Sequence, residues 1–511
     1  MRNKWFRILI KRRLIVILLL LIQIVLFVYL VFSGSKYYSI ITTILTLISA
    51  GATLYIIAQN TKGAYKLSWI IPIMLFPVFG GLLYLIIKFQ SSTRKFSRRQ
   101  EKIDIETRPH YSLPSECLDG ASFAFHEYST HMQYLEKFAG FPVYDSTETE
   151  YLTPGEAKFG ILIDELKRAE KYIFIEYFII GEGVMWDSIL EILKEKAAAG
   201  VEVRVMYDDV GCFVRLPRDY PKQLAVMGIK CTVFNPFRPV FSTLQNNRDH
   251  RKILVIDGKV AFTGGINLAD EYINVFERFG HWKDASVLLR GKAAWSFTLM
   301  FLEMWSLANK TEENYTAYYP WGDNACSIPS DGYVQPYSDS PMDNDNVGEH
   351  VYLQILGSAR EYVYINTPYL IVDDSMLSAL MLAAKSGIDV RIVTPHTPDK
   401  KLVHMTTRSY YHDLVKSGVK IYEYSKGFIH SKTFVSDDKI ATVGTTNLDY
   451  RSLYMHFECG VVMYGSRAVS QVKQDFLDTL ELCEEITEEK CRPNIFMRLI
   501  QSLLRLFAPL M

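Results

Sequence analysis

The chain has 511 residues, with 56 Lys and Arg against 56 Asp and Glu, and 49% of its residues are hydrophobic. That length exceeds one hydrophobic core and calls for several domains. The balanced charge excludes the global basic field of a nucleic-acid binder, so no nucleic acid is expected as a partner. Seven cysteines (Cys117, Cys212, Cys231, Cys326, Cys459, Cys483, Cys491) are scattered without a Cys-x-x-Cys pair. They read as free thiols in a reducing compartment and imply no zinc site.

Residues 1–90 read as a membrane anchor carrying three apolar stretches, about 14–32, 38–58 and 69–87. The first is long enough to span a bilayer and is followed at once by more apolar sequence, which favours a retained anchor over a cleaved signal peptide. The second is similar but dotted with Ser and Thr. Pro72, Pro77 and Gly80-Gly81 interrupt the third. Basic clusters lie before the first stretch (Lys4, Arg7, Lys11, Arg12, Arg13) and after the third (Lys88, Arg94, Lys95, Arg98, Arg99, Lys102). The positive-inside rule places both on the cytoplasmic side. Two complete spans plus a third segment that enters and returns reconcile these signals, leaving residues 91–511 on the cytoplasmic face of a multi-pass cell-membrane protein.

A polar linker, 91–135, leads into two similar halves, 136–330 and 331–490. Ala169-Glu-Lys-Tyr-Ile-Phe-Ile-Glu-Tyr matches Ala359-Arg-Glu-Tyr-Val-Tyr-Ile-Asn-Thr, and Gly200-Val-Glu-Val-Arg-Val matches Gly387-Ile-Asp-Val-Arg-Ile. Each half reads as strand, helix, strand. The helices, about Asp187 to Ala199 and Ser375 to Ser386, stop at glycines suited to a C-terminal cap. The pattern predicts an α/β fold of two mixed-sheet domains with helices on the sheet faces. The acidic, Pro- and Gly-rich run 320–346 reads as the linker between halves. In 491–511, Ile495, Phe496, Leu499, Ile500, Leu503, Leu504, Leu506 and Phe507 fall on one helical face opposite Arg498 and Arg505, the pattern of an interfacial amphipathic helix for anionic lipid.

The chemistry lies in a pattern present once per half: His250-x-Lys252-x4-Asp257-x6-Gly264-Gly265-x-Asn267, and His430-x-Lys432-x4-Asp437-x6-Gly444-Thr445-x-Asn447. His and Lys two apart share one face of a strand (Ile253 to Ile256; Thr433 to Val435). A turn at Asp257-Gly258 or Asp437-Asp438 returns the chain beside them. An imidazole nucleophile, an ammonium and a carboxamide as donors to phosphate oxygens, and a glycine permitting close approach of an anion make a phosphoryl site. Lys252, Lys432, Asn267 and Asn447 then hold the phosphoryl oxygens, Gly264 and Gly444 give access, and neither metal nor cofactor is required. Asp257 and Asp437 complete the catalytic motif, but sit at turns and are expected to brace structure. Glu176, Tyr177 and Asn366-Thr367-Pro368-Tyr369 occupy matching strand ends and are candidates to line a headgroup pocket.

These residues resemble the phospholipase D superfamily and, within it, the bacterial cardiolipin synthases. The likeness runs through IEYFII (175–180), DHRKILVIDGKVAFTGGINLADEY (249–272), HWKD (281–284), INTPYL (365–370), SGVKIYEY (417–424) and FIHSKTFVSDDKIATVGTTNLDYRSLYMHFE (428–458). Gly444-Thr445 stands where many superfamily members have Gly-Ser, and a hydroxyl is kept. The resemblance implies two phospholipase D-like domains forming one site between them. His250 is then the nucleophile that becomes phosphohistidine, His430 the acid and then base, and Glu458 and Asp284 the acids that support the imidazoles. It implies phosphatidylglycerol as substrate, cardiolipin and glycerol as products, and membrane lipid as partner. Hydrolysis to phosphatidic acid, a membrane-tethered nuclease and a non-enzymatic lipid scaffold are the competing readings.

Overall fold

The computed structural model describes residues 38–59, 61–76, 91–111, 117–237, 243–321, 328–343 and 345–510, with positions 25, 29, 80, 81, 84, 85 and 88. Two compact units are present: residues 1–96 with 237–246 and 503–511, and residues 97–236 with 247–502.

In the first unit, helix Tyr38–Ala58 and helix Gly63–Leu75 pack through Ala52, Ile56, Ile73 and Tyr84, with Trp69 edge-on to Tyr84 at 5.2 Å. After Leu75 the chain returns. A Cβ on Gly80 would fall 2.7 Å from the Ile73 Cα, and one on Gly81 would fall 2.8 Å from the Ser49 hydroxyl oxygen. Among the described residues no helix is long and apolar enough to cross a membrane. Helix Gly63–Leu75 is about 20 Å long, short of a ~30 Å hydrocarbon core. Helix Tyr38–Ala58 runs 21 residues and carries Ser39, Thr42, Thr43, Thr46, Ser49, Gly51 and Thr53 among its apolar residues. The stretch 14–32 lies outside the described residues apart from Val25 and Tyr29.

The second unit holds two sheets. The first half contributes β1 (Thr147–Leu152), β2 (Tyr172–Tyr177), β3 (Glu202–Asp208), β4 (Lys230–Phe234), β5 (Lys252–Ile256), β6 (Val260–Gly264), β7 (His281–Lys283) and β8 (Ser286–Gly291). All but β7 form one sheet in the order β1-β8-β6-β5-β2-β3-β4. The second half contributes β9 (Tyr333–Asp339), β10 (Tyr362–Asn366), β11 (Leu370–Ile371), β12 (Asp389–Pro395), β13 (Lys420–Tyr424), β14 (Gly427–Ile429), β15 (Thr433–Ser436), β16 (Ile440–Gly444), β17 (Leu448–Asp449), β18 (Glu458–Tyr464) and β19 (Cys483–Glu485). Its sheet runs β19-β13-β12-β10-β15-β16-β18-β9.

The duplication seen in sequence is a duplication of topology. β2, β3 and β4 are parallel while β2, β5, β6, β8 and β1 alternate antiparallel; β10, β12 and β13, then β10, β15, β16, β18 and β9, repeat the arrangement. Central strands β2 and β10 are buried along their whole length, as expected of strands covered on both faces. The crossover helices are Val184–Ala198 and Asp374–Lys385. Helix Ala294–Asn309 is apolar on nearly every side, because it packs on β2, β4 and β5 of one sheet and β9 of the other.

Within two regions expected as linkers, the described residues include regular structure. The first of them holds helices Ser91–Tyr111, Cys117–Ala124 and Ser129–Gln133, and the second holds β9. Pro336 concealed that strand from sequence inspection. It sits on an edge strand, where a missing N–H costs no ladder bond.

Candidate active site

Both motifs form tight hairpins. β5 turns into β6 through Asp257 (φ +53°) and Gly258 (φ +66°), and β15 into β16 through Asp437 (φ +54°) and Asp438 (φ +57°). Two successive left-handed residues match the twist of the flanking strands. Each Asp locks its turn with three backbone amides: Asp257 accepts from Glu170, Lys171 and Tyr172 at 2.7–2.8 Å, and Asp437 from Arg360, Glu361 and Tyr362 at 2.7–3.0 Å. They lie past the far end of the strand from their histidines, about 20 Å along an extended chain. Asp257 and Asp437 are braces, and the structure does not bring them to the histidines.

The halves meet where the motifs begin. β7 pairs in parallel with β14, and Asp249 bridges Phe457. The His250 N–H donates to the Phe457 carbonyl (3.0 Å), and the His430 N–H to the Lys283 carbonyl (2.7 Å). The residue after each acceptor is the acid that holds the same histidine's ring. His250 Nδ1 lies 2.9 and 3.0 Å from the two Glu458 carboxylate oxygens, and His430 Nδ1 lies 2.7 Å from Asp284 Oδ2. Each imidazole is thus supported by a carboxylate from the opposite half. Both histidines are 8% exposed, and both acids are fully buried.

Burial pushes His250 down to about 3 and His430 down to about 4, so both rings rest neutral near pH 7. Burial alone would raise the acids. His250 beside Glu458, and His430 with Lys432 beside Asp284, outweigh it and hold both carboxyls below their usual range. With Nδ1–H donated to a carboxylate, each Nε2 keeps its lone pair. Lys252 and Lys432 are buried, and each donates to the carbonyl of its own histidine. Burial brings them down to about 8 and about 7, and each feels the acids of both halves. Aromatic rings wall the histidines: Phe178 is 5.0 Å from His250, and Trp282 and Tyr272 are 5.2 and 5.8 Å from His430.

Asn267 is buried and uses its Oδ1 on the Ile179 N–H; the Asn447 amide donates to Asp449, while its buried Oδ1 has no partner. Gly264 and Gly444 have a reason other than the expected anion access. A Cβ would fall 2.5 Å from the Ala285 carbonyl oxygen or 2.7 Å from that of Cys459, so both are required by the neighbouring strand. Gly265 makes room for the acid, since its Cβ would lie 2.1 Å from Asp284 Oδ1. Thr445, at the equivalent place, instead donates its hydroxyl to Glu458. Glu176 is not a pocket residue: it is fully buried and paired at 2.7 Å with Arg251. Tyr177 accepts from Lys158, and Asn366 donates to Thr433.

Lys158 escaped sequence inspection. It is fully buried, donates to the Tyr177 hydroxyl (3.1 Å) and the Ile266 carbonyl (3.2 Å), and is pushed down to about 7 by burial. A lysine on a helix face shared with Leu162 and Leu166 gives no local signal. His456, 11% exposed at its side chain and beside Glu458, was likewise unmarked.

The family model described as "Cardiolipin synthase, PLD-like domain" matches residues 162–277 and 352–480, and "Phospholipase_D-nuclease N-terminal" matches residues 44–88. Cardiolipin synthase 2 of Bacillus anthracis is 34% identical over 89% of this chain and 88% of its own. The chain belongs to the bacterial cardiolipin synthase family. An uncharacterised protein of Streptococcus mutans is 46% identical over 90% of this chain and all of its own. The phosphatidylserine synthase of Haemophilus influenzae, 14% identical, covers 71% of this chain and 93% of its own with a TM-score of 0.53, which shows a shared fold.

Proposed function

We infer that this member of the family is a phosphatidyltransferase that makes cardiolipin, joining two phosphatidylglycerol molecules and releasing glycerol. The observation that carries the mechanism is the pair of crossed histidine–carboxylate couples within one buried, aromatic-walled site. His250 Nε2 attacks phosphorus; the bond from phosphorus to the glycerol oxygen breaks, and His430 gives that oxygen a proton. The anionic phosphodiester raises the proton affinity of His430 on entry, so a ring that rests neutral is charged when needed. The hydroxyl of a second phosphatidylglycerol then loses its proton to His430 and attacks phosphorus, and the bond from phosphorus to nitrogen breaks. Glu458 stabilises the charge on His250 and Asp284 that on His430, while Lys252, Lys432 and the Asn447 amide hold the phosphoryl oxygens. Aromatic walls that limit water favour transfer to lipid over hydrolysis.

Purified protein in phosphatidylglycerol vesicles, with lipids resolved by mass spectrometry, tests this. Cardiolipin with stoichiometric glycerol is expected. Phosphatidic acid alone would make the enzyme a phospholipase, and oligonucleotide cleavage without lipid products would make it a nuclease.

The apolar N-terminal stretches and helix Ile495–Phe507, whose Ile495, Phe496 and Leu499 are exposed, support attachment to the bilayer with the catalytic part on the cytoplasmic side. Six free cysteines among the described residues suit that reducing address. An added cysteine near Ser97 should resist a membrane-impermeant reagent in intact cells; strong labelling without lysis places the catalytic part outside.

A further inference from the structure

Beside the His250–Glu458 couple stands a third ring to which the reaction gives no task. The His456 ring centroid is 5.6 Å from that of His250, and its Nδ1 is 3.7 Å from Glu458 Oε1. Both His456 ring nitrogens are buried without a hydrogen-bond partner, an uncommon condition beside a buried carboxylate. Among the described residues, His250, His456 and Glu458 are the one group of three His, Cys, Asp or Glu side chains with potential ligand atoms all within 4.8 Å of one another.

We propose that His250, His456 and Glu458 form an inhibitory site for a zinc-class divalent ion, which switches the enzyme off by taking His250 out of reaction. The donor set is two imidazoles and one carboxylate with a fourth position open, the composition that suits zinc. Ligand bonds of ~2.0–2.2 Å put neighbouring tetrahedral ligand atoms roughly 3.3–3.6 Å apart. The separations from Glu458 straddle that range, at 2.9 Å to His250 Nδ1 and 3.7 Å to His456 Nδ1, and the three ligand atoms lie within 4.8 Å of one another, so rotation of the imidazoles about their side-chain bonds draws them around an ion. On binding, the ion takes the His250 Nδ1 lone pair and replaces the hydrogen bond to Glu458, and the ring proton moves from Nδ1 to Nε2, which then has no lone pair with which to attack phosphorus. No bond to phosphorus is involved. Magnesium and calcium, which demand mostly oxygen ligands, are poor fits. The site therefore senses transition metals and tolerates the ions common at a lipid surface.

The test uses full-length protein in phosphatidylglycerol vesicles, titrated with ZnCl2 in chelator-free buffer beside His456→Asn, which keeps size and polarity but lacks the imidazole. Zinc is expected to inhibit the wild type, EDTA to restore it, and MgCl2 at equal concentration to have no effect. His456→Asn should keep its metal-free turnover and need at least ~10-fold more zinc for half inhibition. CoCl2 reads the site without turnover: wild-type protein should show the visible absorption of four-coordinate cobalt, and His456→Asn and His250→Ala should lose it. Equal zinc sensitivity in His456→Asn, as adsorption to anionic headgroups would give, overturns the proposal. So does a cobalt spectrum unchanged by either substitution, or absent from the wild type. The activity arm rests on the transferase reading, whereas the cobalt arm decides the metal site even if that reading fails.

Discussion

Glu458→Gln isolates the charge of the carboxylate that reaches across from the second half. The substitution keeps the shape of a fully buried side chain and leaves one oxygen to accept the His250 Nδ1–H and the Thr445 hydroxyl. What disappears is the anion facing an imidazole that turns positive as it bonds to phosphorus. Opposite charges about 3 Å apart at an effective dielectric of about 20 attract by ~5 kcal/mol, an upper bound. The surviving neutral hydrogen bond retains ~1 kcal/mol of that. A net loss of ~3–4 kcal/mol corresponds to a fall in kcat of roughly 10²–10³. Thermal stability should hardly change, because His250 rests neutral, at about 3, and loses only the charge-assisted part of one bond. Steady-state cardiolipin formation measures kcat, and a quenched single turnover shows whether the loss lies in lodging lipid on the enzyme. A folded Glu458→Gln protein within tenfold of the wild type would refute the electrostatic role given to this acid.

His250→Ala and His430→Ala are each expected to abolish turnover, since neither half supplies both nucleophile and acid; a phosphatidyl adduct mapped to His430 in the His250 variant reverses the roles. Asp257→Asn and Asp437→Asn each weaken bonds to three backbone amides and should cost ~1–3 kcal/mol of stability while the folded fraction keeps its kcat. Lost activity at unchanged melting temperature would move those acids back into the chemistry. Lys432 at about 7 and Lys252 at about 8 are charged below and neutral above those values, so kcat/KM should fall as pH rises through 7–8. A profile level to pH 9 contradicts the phosphate-holding role. Exhaustive EDTA should leave turnover intact, and a loss restored by one specific metal would show that an ion, not the lysines, carries the phosphoryl charge.

How much was legible in advance depended on the range of each interaction. Alternation along β5 and β15 puts His250 with Lys252 and His430 with Lys432, and the internal repeat marks β2, β3, β10 and β12 with their crossover helices. The same alternation sends Arg251 to the opposite face, where it demands a buried partner; that partner is Glu176, which sequence placed at a pocket mouth. Which acid serves which histidine was hidden, because no local spacing encodes a contact between residues 208 or 146 apart. Gly264 and Gly444 suited anion access as residue types, yet the backbone of a neighbouring strand dictates them. At the N-terminus, Pro72, Pro77 and Gly80-Gly81 marked the third stretch as one that turns back; the helix ends at Leu75, and Gly80 lies against Ile73.

The crossing of the acids also times when the protein becomes reactive during its synthesis. His250 leaves the ribosome early and can fold into its hairpin, but Glu458 follows 208 residues later. At about 5–20 residues per second, that interval is roughly 10–40 s. Through it the nascent chain carries a histidine with no carboxylate behind it and no second histidine opposite. A truncated or stalled chain is in the same condition permanently. Lipid-cleaving chemistry is thereby withheld until the last large strand, β18, is in place.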